Sequence, residues 1–72
     1  REKREVDPEL AVFGERVRNF RQVAGLRQAD LAEAAGVHTS YISEVERGYR
    51  NVSYRLILNI ARSLGVEPRE LM

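Results

Sequence analysis

The stretch spanning residues 26–48, LRQADLAEAAGVHTSYISEVERG, constrains the chain more than any other part of it. Between Gln28 and Ala35 the apolar residues Leu31, Ala32 and Ala35 recur at three- and four-residue spacing, which gives a helix one face to bury. Asp30 and Glu33 turn away from that face, and Gly36 follows at once. A glycine there adopts a left-handed backbone at no steric cost, so the chain can turn sharply. A second helical run, residues 39–47, hides Ile42 and Val45 and stops at Gly48. Its other face carries Thr39, Ser40, Ser43, Glu44 and Arg47. Two short helices joined by a tight turn, the second polar on its outer side, are therefore expected.

Seventy-two residues make one domain, and a domain of this size buries only about 60% of the surface its unfolded chain exposes. Tight helix packing or a partner must supply the stability. The chain has no cysteine and one histidine, so neither a disulfide framework nor a thiolate zinc site is available, and no metal or other cofactor is expected. His38 has no orienting third group beside Ser40 or Ser43, and no carboxylate pair lies in a pocket-forming context, so an enzyme is not expected. No apolar run approaches the roughly 20 residues of a membrane span, and no signal-like segment opens the chain. A soluble, cytoplasmic protein with no membrane partner follows as the expectation. Twelve basic and eleven acidic residues leave a formal net charge of +1. If the partner is a nucleic acid, the positive charges must be sorted onto one face.

Residues 1–6 mix both charge signs with one apolar residue and read as a flexible N-terminal arm, either a solvated terminus or a basic arm in which Arg1, Lys3 and Arg4 follow a DNA backbone. Residues 7–72 read as the folded domain. Asp7-Pro8 is a helix start, with a side-chain acceptor at the N-cap and a proline where the amide would lack a partner. Leu10, Phe13, Val17, Phe20 and Ala24 then form a buried stripe, and this helix is expected to stop at Gly25. Arg16, Arg18 and Arg21 leave from its other faces. Ser53 caps a fourth helix with the stripe Tyr54, Ile57, Ile60, Ala61 and Leu64, ended by Gly65. Leu56 and Leu58 fall off that stripe, as ordinary surface leucines or as a subunit contact. Pro68 opens a fifth helix, whose Leu71 and Met72 pack on the core or form a dimer seam. The expected fold class is all-α, a compact five-helix domain around the central two-helix motif.

Short helix, glycine turn and a second short helix with a polar face is the pattern of a DNA-reading helix-turn-helix. The run Leu26-x-Gln28-x-x-Leu31-Ala32-x-x-x-Gly36-Val37, then Tyr41-Ile42-Ser43-x-x-Glu46-Arg47-Gly48, then Ser53, Ile57, Ile60-Ala61 and Leu64-Gly65-Val66, resembles the Cro and lambda-repressor type helix-turn-helix family. The likeness covers most of the chain. Gly36-Val37-His38, Tyr41-Ile42, Val45-Glu46-Arg47-Gly48 and Arg50-Asn51-Val52-Ser53 look most like the controller proteins of restriction-modification systems, which are small dimeric regulators. The fold this resemblance implies is lambda-repressor-like. The function it implies is a sequence-specific transcription regulator that binds double-stranded DNA as a homodimer on a roughly palindromic operator.

Residue by residue, the resemblance implies that Thr39, Ser40 and Glu44 read base edges. It implies that Arg27, Gln28, Tyr41, Arg47, Tyr49, Arg50 and Asn51 contact the DNA backbone, and that Glu46 pairs with Arg21 to fix the motif against the first helix. His38, where a cap should be, is either a weakly capping surface residue or a contact to a phosphate or the first base. Gln28 is likewise either an exposed polar side chain or a phosphate contact at the positive end of its helix. Arg27 and His38 at the caps and Tyr54 in an aliphatic place depart from the family pattern. A rival from another class is a protein-interaction module, antitoxin-like or coactivator-like, on the same fold. Arginines gathered on the motif favour DNA; arginines scattered over the surface favour a protein partner.

Overall fold

The computed structural model describes residues 6–72, so the arm reading for Arg1, Lys3 and Arg4 lies outside the described residues. Helix α1 (Pro8–Val23) starts where Asp7 Oδ1 accepts from the Glu9 amide at 2.8 Å. It ends one residue before the expected Ala24, which is exposed beyond the last helical turn and does not join the stripe. Phe13 and Val17 are the buried part of that stripe, with Leu10 and Phe20 half-buried beside them. Helices α2 (Gln28–Ala35) and α3 (Thr39–Glu46) follow, then α4 (Tyr54–Leu64), whose start is capped by Ser53 Oγ accepting from the Leu56 amide at 3.2 Å.

The all-α class is as expected, but the fifth helix is not an α-helix. Pro68–Leu71 is a single 3-10 turn. Its bonds run over three residues, from Glu70 N to Glu67 O at 2.9 Å and from Met72 N to Arg69 O at 3.2 Å. That tighter winding brings Leu71 back over the core with no exposed surface, while Met72 stays exposed.

Leu31, Ile42, Ile60, Leu71, Val17 and Val45 are fully buried and form the centre of the core. Helix α1 packs on α3, α2 packs on both α3 and α4, and the 3-10 turn closes against α4 and α1. The buried side of α4 is Leu56, Ile60 and Ala61, with Ile57 and Leu64 half-buried. Leu56 therefore belongs to the core, and Tyr54, expected in the stripe, is 68% exposed at the first turn of the helix. An apolar stripe of this width admits more than one rotation of the helix, and contact with α2 selects the one observed.

The crossing of α1 and α3 depends on Gly14. A Cβ there would lie 2.2 Å from the Val45 carbonyl oxygen and 2.7 Å from that of Glu46. Nothing larger than glycine lets the two backbones approach this closely.

Candidate nucleic-acid interface

The turn between α2 and α3 is closed by backbone. Gly36 has φ 78°, the left-handed conformation expected of it, and the amides of Gly36 and Val37 donate to the carbonyls of Glu33 and Ala32. Val37 packs half-buried against the core, so the turn is anchored from inside. Helix α3 then lies with Ile42, Val45 and Glu46 buried, and Thr39 and Ser40 exposed on its first turn. His38 sits at the N-cap in an extended conformation, exposed and without a side-chain cap bond.

Beneath α3 an ion-paired network joins three helices. Arg21 of α1 donates from Nε to Glu46 Oε2 at 2.6 Å and from a terminal nitrogen to Glu46 Oε1 at 3.1 Å. A second terminal nitrogen donates to the Leu26 carbonyl at 2.8 Å. Gln28 completes the set, its Nε2 donating to Glu46 Oε1 at 3.0 Å. The side-chain amide of Gln28 is thus committed to holding α2 on α3, a partner the sequence did not suggest. Arg18, Ser43 and Arg47 line the same polar depression as Arg21, Gln28 and Glu46. Arg18 carries one signal in the sequence, that it precedes Arg21 by three residues and so shares a side of α1.

Helix α2 opens differently from a serine- or threonine-capped helix. The Asp30 carboxylate reaches back one turn to accept from the Arg27 amide at 2.9 Å and from the Arg27 guanidinium at 3.1 and 2.9 Å. These bonds hold the Asp30 carboxyl at about 2, below the ordinary carboxylate range, and push Arg27 higher still. Asp30 thus satisfies the amide of Arg27 itself, while no N-cap side chain accepts from the first amides of α2.

Beyond α3, Arg50 donates from Nε to Glu44 Oε1 at 2.7 Å, and its guanidinium lies 5.1 Å from the centroid of the Tyr41 ring. The bond to Glu44 raises Arg50 above its usual value. Tyr41 is half-buried against the core. Arg47 lies over the Tyr49 ring at the same 5.1 Å distance and donates to the Ser43 carbonyl at 3.4 Å. Asn51 is exposed in the following loop. The structure thus brings together Arg21, Gln28 and Glu46 in one network, Tyr41, Glu44 and Arg50 in a second, and Arg47 with Tyr49 in a third. Thr39, Ser40 and His38 stand apart from these on the exposed start of α3.

Asp30, Glu44 and Glu46 pair with Arg27, Arg50 and Arg21 respectively, and Arg18 and Arg47 line the depression that holds the Arg21–Glu46 pair. Among the described residues no cluster of three or more histidine, aspartate or glutamate side chains could hold a metal ion, and no helix is long and apolar enough to cross a membrane.

A family model described as a helix-turn-helix domain matches residues 12–72. The chain belongs to the helix-turn-helix family. This helix-turn-helix protein is 42% identical over 62 residues to control protein C.BamHI from Bacillus amyloliquefaciens, covering 85% of this chain and 76% of that protein. It is 36% identical over 61 residues to control protein C.SmaI from Serratia marcescens, covering 85% and 73%. Among solved structures, the restriction-modification controller protein C.AhdI from Aeromonas hydrophila matches with a TM-score of 0.89 at 47% identity, over 92% of this chain and 100% of that one. The helix-turn-helix chain is accordingly a DNA-binding transcription regulator.

Proposed function

We propose that this regulator acts in the cytoplasm as a homodimer on a roughly palindromic operator in double-stranded DNA, and that it controls restriction-modification genes. The exposed first turn of α3 carries the reading: Thr39 and Ser40 present small hydrogen-bonding groups on a helix whose opposite face is locked by Ile42, Val45 and Glu46. A rigid helix with short polar side chains fits a major groove, where hydroxyls donate or accept and the threonine methyl meets thymine. Arg27, His38, Tyr41, Arg47, Tyr49, Arg50 and Asn51, in and around the two-helix motif, serve the DNA backbone, which sets register without reading sequence, while Gln28 acts from behind them by holding Glu46.

Homodimerisation is supported by what one short helix lacks, since a single reading helix gives little specificity and two half-sites give more. In such dimers the reading helices enter successive major grooves about 34 Å apart. An apolar groove lined by Leu10, Val12, Phe13, Ile57 and Met72 contains no residue of α2 or α3, so a second copy seated there leaves the reading helix accessible, with Asn51 at the border between the two surfaces. Likeness to C.AhdI over the whole length of that controller protein supports the choice of genes.

Selection from a pool of random duplexes at two salt concentrations tests the proposal. A palindromic consensus whose affinity falls steeply with salt is the expected result, because each neutralised phosphate contributes a slope of about −0.9. A pool with no enrichment at low salt overturns it.

A further inference from the structure

We propose that Glu44 is a positioning residue that aims Arg50 at a DNA phosphate, and that Glu44, Arg50 and Tyr41 form one preset clamp. The inference deepens the DNA-reading proposal above and rests on it. Glu44 lies on the recognition helix, where a carboxylate would ordinarily be assigned to a cytosine amino group. Its side chain, however, is only 20% exposed, while that of Arg50 is 48% exposed. The more accessible member of the pair is the arginine. Glu44 Oε1 takes the Nε–H of Arg50 at 2.7 Å, and the Tyr41 ring supports the guanidinium at 5.1 Å. One edge and one face of a planar fork are thereby fixed.

A guanidinium carries five N–H donors, so the bond to Glu44 leaves terminal donors that can meet a phosphate. Fixing the fork in advance removes most of the ordering penalty that a long free side chain meets on binding. The same bond places a cation beside Glu44, which offsets the repulsion a lone carboxylate would feel near the DNA backbone. Arg50 is in the loop after α3, six residues from Glu44 in sequence, and the pair ties the end of the recognition helix to that loop.

The test is a double-mutant cycle on the full chain, reading affinity for the selected duplex, for its single-base variants and as a function of salt. Glu44→Ala is expected to weaken binding to all duplexes alike, by about two- to tenfold, the range corresponding to loss of one ordered side chain. Glu44→Gln, which keeps an acceptor for Nε–H, is expected to recover part of the loss. Arg50→Lys keeps the charge without the Nε–H edge and is expected to reproduce the loss with Glu44 intact. In an Arg50→Ala background, Glu44→Ala is expected to give no further loss. Relaxed preference at one base pair in Glu44→Ala, or an equal loss with and without Arg50, overturns the proposal while leaving the parent reading in place. A wild-type chain that selects no duplex overturns both. Thermal melts of each variant separate loss of binding from loss of fold; if Glu44→Ala does not fold, Glu44→Gln and Arg50→Lys carry the same comparison.

Discussion

Arg21 and Glu46, 25 residues apart in sequence, form a two-bonded ion pair at 2.6 and 3.1 Å with side chains 10% and 3% exposed. The pair joins the end of α1 to the end of α3, and Gln28 and the Leu26 carbonyl use remaining hydrogen-bonding capacity on either side of it. Removing water from two charges is expensive, and the attraction between them offsets that cost only while both are present. Glu46→Ala is expected to lower unfolding free energy by about 3–5 kcal/mol, because it leaves a buried guanidinium uncompensated. Replacing both partners by apolar residues of similar size, Arg21→Met with Glu46→Leu, should recover much of that. Urea unfolding of the two single variants and the double decides the matter; a double variant whose loss equals the sum of the singles would show that no coupling exists.

Gly14→Ala tests the closeness of α1 and α3. Alanine is a better helix former by about 1 kcal/mol. That gain is outweighed if the added carbon meets the Val45 and Glu46 carbonyls, which belong to backbone and cannot swing aside. A net loss of about 1–3 kcal/mol is expected, the usual range for an overpacked site, with weaker operator binding as α3 is displaced. A urea midpoint equal to or above that of the wild type would contradict the contact.

The start of α2 should be sensitive to acid in a defined window. Asp30 titrates at about 2 in the folded chain because it accepts from the Arg27 side chain and amide, against about 3.9 for an unperturbed aspartate. A lowered folded value stabilises the native state fully above about 4, and that contribution disappears as the pH falls towards 2. Nuclear magnetic resonance titration of the Arg27 amide should therefore show its transition near 2, and Asp30→Asn should abolish it. A midpoint close to 4 would mean that the pairing does not persist in solution.

Arg47 and Thr39 are expected to fail in different ways. Arg47→Ala should weaken binding to cognate and unrelated duplexes similarly and reduce the salt slope by about 1, as loss of a phosphate contact does. Thr39→Ala should leave the slope unchanged and relax preference at one base pair. Affinities for a set of single-base operator variants at several salt concentrations distinguish the two patterns. Identical profiles for both substitutions would remove the division between positioning and reading.

Local chemistry in the sequence determined where the helices begin and turn. Asp7-Pro8 and Ser53 act on amides within one turn, Gly36 acts on its own φ, and the spacing of Leu31, Ala32, Ile42 and Val45 marks faces that any helix must bury. The pairing of Arg21 with Glu46 was available only through family resemblance, since nothing in composition or periodicity relates residues 25 apart. Tertiary structure alone decided the rest. Leu56 entered the core and Tyr54 left it because contact with α2 chose the rotation of α4, and two neighbouring rotations of a wide apolar stripe look alike in sequence. Gly14 had no local reason to be glycine until α3 crossed it. Glu44 found Arg50, and Gln28 found Glu46, because the turn after α2 and the loop after α3 set distances that spacing along the chain does not encode.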